Sequence, residues 1–150
     1  MLEVVAAVQS RMKAHMPLFV RISATDWAEG GWDLEQSVQL SAILQDKGVD
    51  LMDVSSGALV TGVRIPIEPG YQVPLAERIK KETGILTGAV GLITSAQQAE
   101  DILAEEQADL IFMARALLRD PYFPLHAAEQ LGEEPLYLPQ YERAKPVAKK

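Results

Sequence analysis

Residues Ala108–Pro121, ADLIFMARALLRDP, decide how the rest of the chain is interpreted. The segment opens with the apolar run Leu110–Met113, which is too short for a helix and is typical of a strand buried on both faces. Arg115 follows this run, and the segment ends at Pro121, because a proline disfavours helical geometry in the residue before it. A buried strand that leads to an arginine, with helical sequence behind it, is a pattern that α/β proteins use to bind anions.

A second segment repeats the pattern upstream. Ile85–Val90 is predicted to be a buried strand, Gly91 follows it, and Thr94 or Ser95 is a suitable helix cap. Glycine lets a phosphate approach backbone N–H groups closely. If the two strands are parallel neighbours, Gly91 and Arg115 lie side by side at one edge of the sheet. The alternative is that Gly91 is only a turn glycine and Arg115 only a surface charge.

The composition limits the class of protein. A chain of 150 residues suits one domain with its own core. The net charge of −7 argues against nucleic-acid and anionic-membrane partners, although a local basic site is compatible with it. The absence of cysteine excludes disulfides and thiolate zinc sites, and we predict no metal site. No apolar run approaches the roughly 20 residues of a membrane span, and we interpret the N-terminus as an amphipathic helix rather than a signal peptide.

Strand and helix signals alternate along the chain. We predict strands at 18–23, 49–54, 85–90 and 110–113, and helices at 2–15, 73–83, 95–106 and 122–130. A further helix is predicted between Asp33 as its cap and Gly48 as its stop. Arg21 interrupts an otherwise apolar strand, so it should meet a carboxylate, such as Asp53 on the next strand, or a polar ligand. The alternation predicts parallel strands with crossover helices, in a doubly wound open sheet or in part of a (β/α)8 barrel. A complete barrel needs about 250 residues, so four strand–helix units make about half of one.

Six segments resemble, in the same order and spacing, the C-terminal half of the old yellow enzyme family. They are PLFVRIS (17–23), GVDLMDVSSGA (48–58), PGYQVPLAERI (69–79), TGAVGLIT (87–94), ADLIFMARALLRDPYF (108–123) and QYERA (140–144). The family comprises FMN-dependent ene-reductases, and the resemblance is closest to the thermophilic-like NADPH dehydrogenases. It implies an α/β fold, the second half of a TIM barrel, with barrel units in residues 16–131 and a tail in 132–150. It also implies a cytoplasmic oxidoreductase that uses FMN, with NADPH or NADH as reductant, to reduce enones.

The resemblance also implies residue roles. Arg21 matches the arginine at the flavin pyrimidine edge, Gly91 matches a backbone contact to the FMN phosphate, and Ala114 with Arg115 matches the paired phosphate contact. The family often has glycine where this chain has Ala114, but the backbone N–H survives that change. Tyr141 and Arg143 match a C-terminal segment that reaches into a neighbouring subunit's active site, so a homo-oligomer is expected. The alternative for the tail is a disordered terminus, which we expect at least for residues 145–150.

The family's first-half residues, including the substrate-binding histidine pair and the tyrosine proton donor, have no counterpart in this chain. We therefore predict no catalytic residue in this half and place His15 and His126 on the surface. The inner strand faces, expected to be apolar at Leu51, Ile85, Leu86 and Ile111, would need covering by a second copy or by the missing N-terminal half. Two other functions stay open: a stand-alone half-barrel that binds phosphate or a nucleotide without redox chemistry, and a structural module without a ligand.

Overall fold

A four-stranded parallel sheet organises the chain, and the computed structural model describes residues 1–145. The strands are β1 (Phe19–Ser23), β2 (Leu51–Ser55), β3 (Leu86–Ala89) and β4 (Leu110–Ile111). They pair in the order β1-β2-β3-β4, and the register places Arg21 opposite Asp53. The predicted parallel arrangement is confirmed. Of the terminus predicted to be disordered, residues 146–150 lie outside the described residues.

Residues 1–145 form six α-helices, which precede, join and follow the strands. They are α1 (Leu2–Gln9), α2 (Leu34–Asp46), α3 (Val73–Thr83), α4 (Ala96–Ala104), α5 (Arg115–Arg119) and α6 (Phe123–Leu131), and a 3-10 helix follows at Pro139–Ala144. The start of α2 was predicted correctly, since the Asp33 carboxylate accepts from Gln36 N (2.8 Å) and Gln36 Oε1 accepts from Asp33 N (3.1 Å). Within residues 1–145, no helix has the length and apolar character needed to cross a membrane.

The first helix is shorter than predicted. We expected it to run to residue 15, but α1 ends at Gln9. Two side chains explain the early end: the Ser10 hydroxyl donates to Ala7 O (2.7 Å), and Gln9 Nε2 donates to Lys47 O at the end of α2 (2.7 Å). A serine side chain that bonds to a nearby backbone carbonyl competes with continuation of the helix. A helix extended to residue 15 would also gain little, because Met12 is the only large apolar side chain that it could bury.

The helices cover only one face of the sheet. Ile22, Met52, Val54 and Ala89 belong to the core that packs against the helices. Three of the residues that alternate with them are open instead: Phe19 is 47% exposed, Leu86 51% and Leu110 42%, whereas Leu51, which pairs between Phe19 and Leu86, is only 1% exposed. The prediction of burial on both faces is therefore wrong for Phe19, Leu86 and Leu110, whereas the expectation that a half-barrel leaves Leu86 without cover is confirmed. We call this second face the open face. Of the residues that we expected there, Ile85 and Ile111 in fact pack with the helices.

One-sided covering decides between the two predicted architectures. A doubly wound sheet carries helices on both faces and changes strand order at a switch point. Here the strand order is sequential, and in the described residues the helices pack against one face, as in a (β/α)8 barrel, whose outer face carries the helices. The four strand–helix units thus have the α/β architecture of half a TIM barrel, and the open face corresponds to the barrel interior.

Two aspartates hydrogen-bond to the neighbouring strand at the amino end of the sheet. Asp50 N donates to Leu18 O (2.9 Å), while the Asp50 carboxylate accepts from Leu18 N (2.7 Å). Asp109 repeats this with Thr87, at 2.8 Å for both bonds, and its second oxygen lies 2.9 Å from Lys80 Nζ on α3. These pairs hold the register of β1 with β2 and of β3 with β4 at one end of the sheet, and the candidate site lies at the other end.

Candidate functional site

A cleft of about 440 Å³ lies at the carboxyl ends of the strands. Its lining includes all four residues for which the sequence implied a cofactor role: Arg21 from β1, Gly91 after β3, and Ala114 and Arg115 after β4. The parallel pairing of β3 with β4 is what brings the last three together. Ser55, Tyr71, Gln72, Phe112 and Arg119 also line the cleft. The carboxyl edge of parallel strands is where α/β barrels carry their active sites.

The loops after β3 and β4 present backbone donors at this edge. Gly91 has φ +126° and Leu92 has φ +51°, so the chain turns sharply between them. A Cβ on Gly91 would lie 2.8 Å from Gln72 Nε2, which restricts the position to glycine. Among the described residues, the N–H groups of Gly91 and Ala114 donate no hydrogen bond to another backbone group. Unpaired N–H groups in such turns are typical of anion-binding concavities.

Positive charge accompanies these donors. Arg115 and Arg119 lie four residues apart on α5, so both side chains occupy one side of this helix, and both line the cleft. Neither arginine forms an ion pair within residues 1–145. Arg119 was not predicted from the sequence, although its spacing from Arg115 is a signal that could have identified it. In a chain of net charge −7, two uncompensated arginines at one edge favour an anionic ligand.

Arg21 has the carboxylate partner that the sequence suggested. Its Nη1 lies 2.7 Å from Asp53 Oδ2 on the neighbouring strand, directly across the register. The Arg21 side chain is nevertheless 56% exposed and lines the cleft, whereas Asp53 is 14% exposed. A guanidinium carries five donors, so one ion pair orients the group and leaves most of its donors available. The second Asp53 oxygen, Oδ1, is buried without a hydrogen-bond partner among the described residues.

Sequence reasoning missed Gln72. This residue is only 3% exposed, immediately precedes α3, and hydrogen-bonds to residues that follow β2 and β3. The sequence did place Ser55 and Ser56 at the same edge without giving them a role. Nothing in the spacing indicates that a glutamine seventeen residues after Ser55 returns to it, because that contact depends on the path of the long connection between β2 and α3.

The tail residues lie away from the cleft. Tyr141 and Arg143 belong to the exposed 3-10 helix, and neither is among the residues that line the cleft. Tyr141 instead borders a hollow along α6. His15 and His126 are exposed, as predicted, and His126 Nδ1 lies 2.8 Å from Asp120 Oδ2. In residues 1–145 no three His, Asp or Glu side chains are grouped as a metal site would require.

Comparison with known proteins places this geometry in a family. A family model described as "NADH:flavin oxidoreductase / NADH oxidase family" matches residues 1–134. The NADPH dehydrogenase of Halalkalibacterium halodurans is 57% identical over 128 residues, which are 85% of this chain and 38% of that protein. The NADPH dehydrogenases of Bacillus pumilus and Listeria monocytogenes are 55% and 53% identical over the same shares. The chain thus spans 38% of the length of these relatives, and it belongs to the NADH:flavin oxidoreductase family, the old yellow enzyme family that its motifs resemble.

Proposed function

We propose that this chain is the C-terminal half of an FMN-dependent NAD(P)H oxidoreductase that reduces the activated C=C bond of enones. The observation that carries the proposal is the cleft in which Arg21, Gly91, Ala114 and Arg115 meet. We further propose that residues 16–131 are the barrel units and residues 132–150 a C-terminal tail. The cytoplasmic location stays a prediction.

The donors of the cleft fit a flavin mononucleotide. A phosphate ester needs several N–H donors and positive charge, and the unpaired N–H groups of Gly91 and Ala114 lie at the same edge as Arg115 and Arg119. A Cβ at Gly91 would occupy space in this loop, so glycine keeps its backbone accessible. Arg21 lies in the middle of a different strand, β1, and its remaining donors can contact another part of the same ligand. The donor set therefore suits a molecule with a phosphate at one end and a polar ring at the other.

Bound FMN would supply two-electron redox chemistry between NADPH or NADH and the enone. The role of this half is then to bind and orient. Arg115, with the N–H groups of Gly91 and Ala114, would hold the phosphate, and Arg21, kept in place by Asp53, would stabilise negative charge at the pyrimidine edge of the ring. Among the described residues we assign no proton donor to the substrate, and we propose that the remaining half of the barrel supplies it together with the enone-binding groups.

The test uses a completed barrel, defined as residues 1–150 joined behind the part of the Halalkalibacterium halodurans relative that precedes the matched segment. We expect this protein to carry flavin absorbance after purification and to oxidise NADPH only when an enone is added. Binding of phosphate esters without flavin would instead support the alternative, a phosphate-binding half-barrel without redox chemistry. Lack of both would contradict the proposal.

Replacing Arg21 should make the bound flavin harder to reduce. In the completed barrel, Arg21→Leu removes a cation that we place at the pyrimidine edge. A charge-assisted hydrogen bond contributes about 1.5–3 kcal/mol, so the two-electron potential should fall by roughly 30–65 mV. Arg21→Lys is the matched control and should show a smaller shift, because it keeps the charge. An unchanged potential with intact FMN binding would mean that Arg21 serves only its ion pair with Asp53.

The tail should act on a second subunit. We propose that Tyr141 and Arg143 contribute to the substrate site of a neighbouring copy, since neither lines the cleft of its own chain in the described residues. Co-expression of an Arg143→Ala barrel with an Arg115→Ala barrel tests this. Random pairing makes half of the dimers hybrid, each with one complete site, so roughly a quarter of the wild-type activity should return. If the tail acts on its own subunit, the mixture should be no more active than the separate variants.

A further inference from the structure

Gln72 joins the ends of two strands beneath the candidate phosphate site. Its Oε1 accepts a hydrogen bond from Ser56 Oγ (2.7 Å), and its Nε2 donates to Val90 O (2.9 Å). Ser56 is itself oriented by Trp27, whose Nε1 donates to Ser56 Oγ (3.0 Å). The chain of bonds therefore runs from the loop after β1, across the end of β2, to the end of β3. Ser56 and Gln72 are both buried, where such bonds are less weakened by water.

The segment around Gln72 fixes both peptide groups that flank Gly91. Val90 O accepts from Gln72 Nε2, and Gly91 O accepts from Gly70 N (2.9 Å). A trans peptide points its N–H opposite to its C=O, so fixing these two carbonyls also fixes the directions of the Gly91 and Leu92 N–H groups. Leu92 has a strained φ of +51°, which needs such external support, whereas Gly91 reaches its φ of +126° because it has no Cβ.

We propose that Gln72 is a positioning residue that holds the Gly91 turn in its anion-binding conformation. The proposal rests on the function given above, because it takes the anion to be the FMN phosphate. The Gln72 side chain acts through the peptide group between Val90 and Gly91, by its bond to Val90 O, and not by supplying charge. Its loss should therefore weaken binding of the phosphorylated flavin and leave binding of riboflavin, which lacks the phosphate, unchanged.

Two substitutions separate this role from a general contribution to stability. Gln72→Met keeps the length and volume of the side chain but removes both hydrogen bonds. Gln72→Glu keeps an acceptor for Ser56 but loses the donor to Val90 O. Gln36→Met is the matched control, since the Gln36 side chain also bonds to the backbone, by accepting from Asp33 N, but does not line the cleft.

The first measurement is hydrogen–deuterium exchange on residues 1–150. Both Gln72 variants should exchange faster in the peptide that contains Gly70, whose N–H donates to Gly91 O, whereas a peptide from α2 should be unaffected. The second measurement is the ratio of riboflavin to FMN dissociation constants in the completed barrel. We expect the Gln72 variants to lower this ratio by about tenfold, the usual effect of losing one charge-assisted hydrogen bond, and Gln36→Met to leave it unchanged.

The outcomes distinguish this proposal from the function on which it rests. Unchanged exchange in the peptide that contains Gly70 would overturn the positioning role. Faster exchange with a full preference for FMN would overturn it as well, because Gln72 would then support only the stability of the loop. A wild-type barrel that binds flavin without preferring FMN over riboflavin would reject the phosphate site itself, and the role of Gln72 at that site with it.

Discussion

Arg115→Ala should weaken FMN binding by the completed barrel at least about tenfold. Arg115 lines the cleft beside Gly91 and Ala114 and forms no ion pair with the residues that the structure describes. Its guanidinium is therefore available to the phosphate, and a charge-assisted hydrogen bond of this kind contributes about 1.5–3 kcal/mol. The measurement is fluorescence titration of the apoprotein with FMN at fixed ionic strength.

Two controls make the Arg115 result specific. Riboflavin affinity should be unchanged, because riboflavin has no phosphate to lose contact with. Arg11→Ala removes the same charge from a residue that precedes β1 and does not line the cleft, so FMN affinity should be retained. Equal FMN affinity in wild type and Arg115→Ala would reject the assignment of Arg115 to the phosphate.

Residues 1–150 alone should show no enone reduction. The four strands supply about half of a closed barrel, and the resemblance implies that the substrate-binding residues belong to the family's first half. We also expect the isolated chain to bind FMN weakly or not at all. The assay adds FMN, NADPH and an enone to the purified chain, and measurable turnover by a well-behaved monomer would contradict the prediction.

The same chain should associate through the open face. Phe19, Leu86 and Leu110 are about half exposed there, and the outer edges of β1 and β4 carry unpaired backbone groups. Covering these surfaces requires another half-barrel, which is either a second copy or the missing N-terminal half. Leu86→Glu should shift the mass measured by light scattering towards the monomer. Leu118→Glu is the matched control: Leu118 is 82% exposed but lies on α5, so its substitution should leave the mass unchanged.

The alternation of strands and helices was predictable because each signal is local. Asp33 and Gln36 predicted the start of α2, where they form a capping box. The apolar runs predicted all four strands to within a few residues. The meeting of Gly91 and Arg115 was also predictable, since parallel neighbours must place their carboxyl ends together. These inferences need only the spacing of apolar residues, the capping residues and the geometry of a parallel sheet.

Other features depended on distant partners, and the sequence did not reveal them. Ile85 and Ile111 were expected on the inner strand face but pack with the helices, and Leu110 was expected to be buried but is open, because an apolar side chain does not show which face of the strand it occupies. The contact of Gln72 with Ser56 and Val90 depends on how a long connection folds back, for which no local rule exists. The early end of α1 reflects a bond from Gln9 to the end of α2, which is also non-local.

The two aspartates at the amino end of the sheet affect which substitutions the protein can accept. Asp50 and Asp109 hold the strand register at the end farthest from the ligand. Substitutions in the loops after the strands, such as those around Arg115, therefore need not disturb the pairing of the strands. The loops at the binding edge can therefore accept substitutions that the strand framework does not feel. New ligand specificities can be selected at these loops while Asp50 and Asp109 are kept.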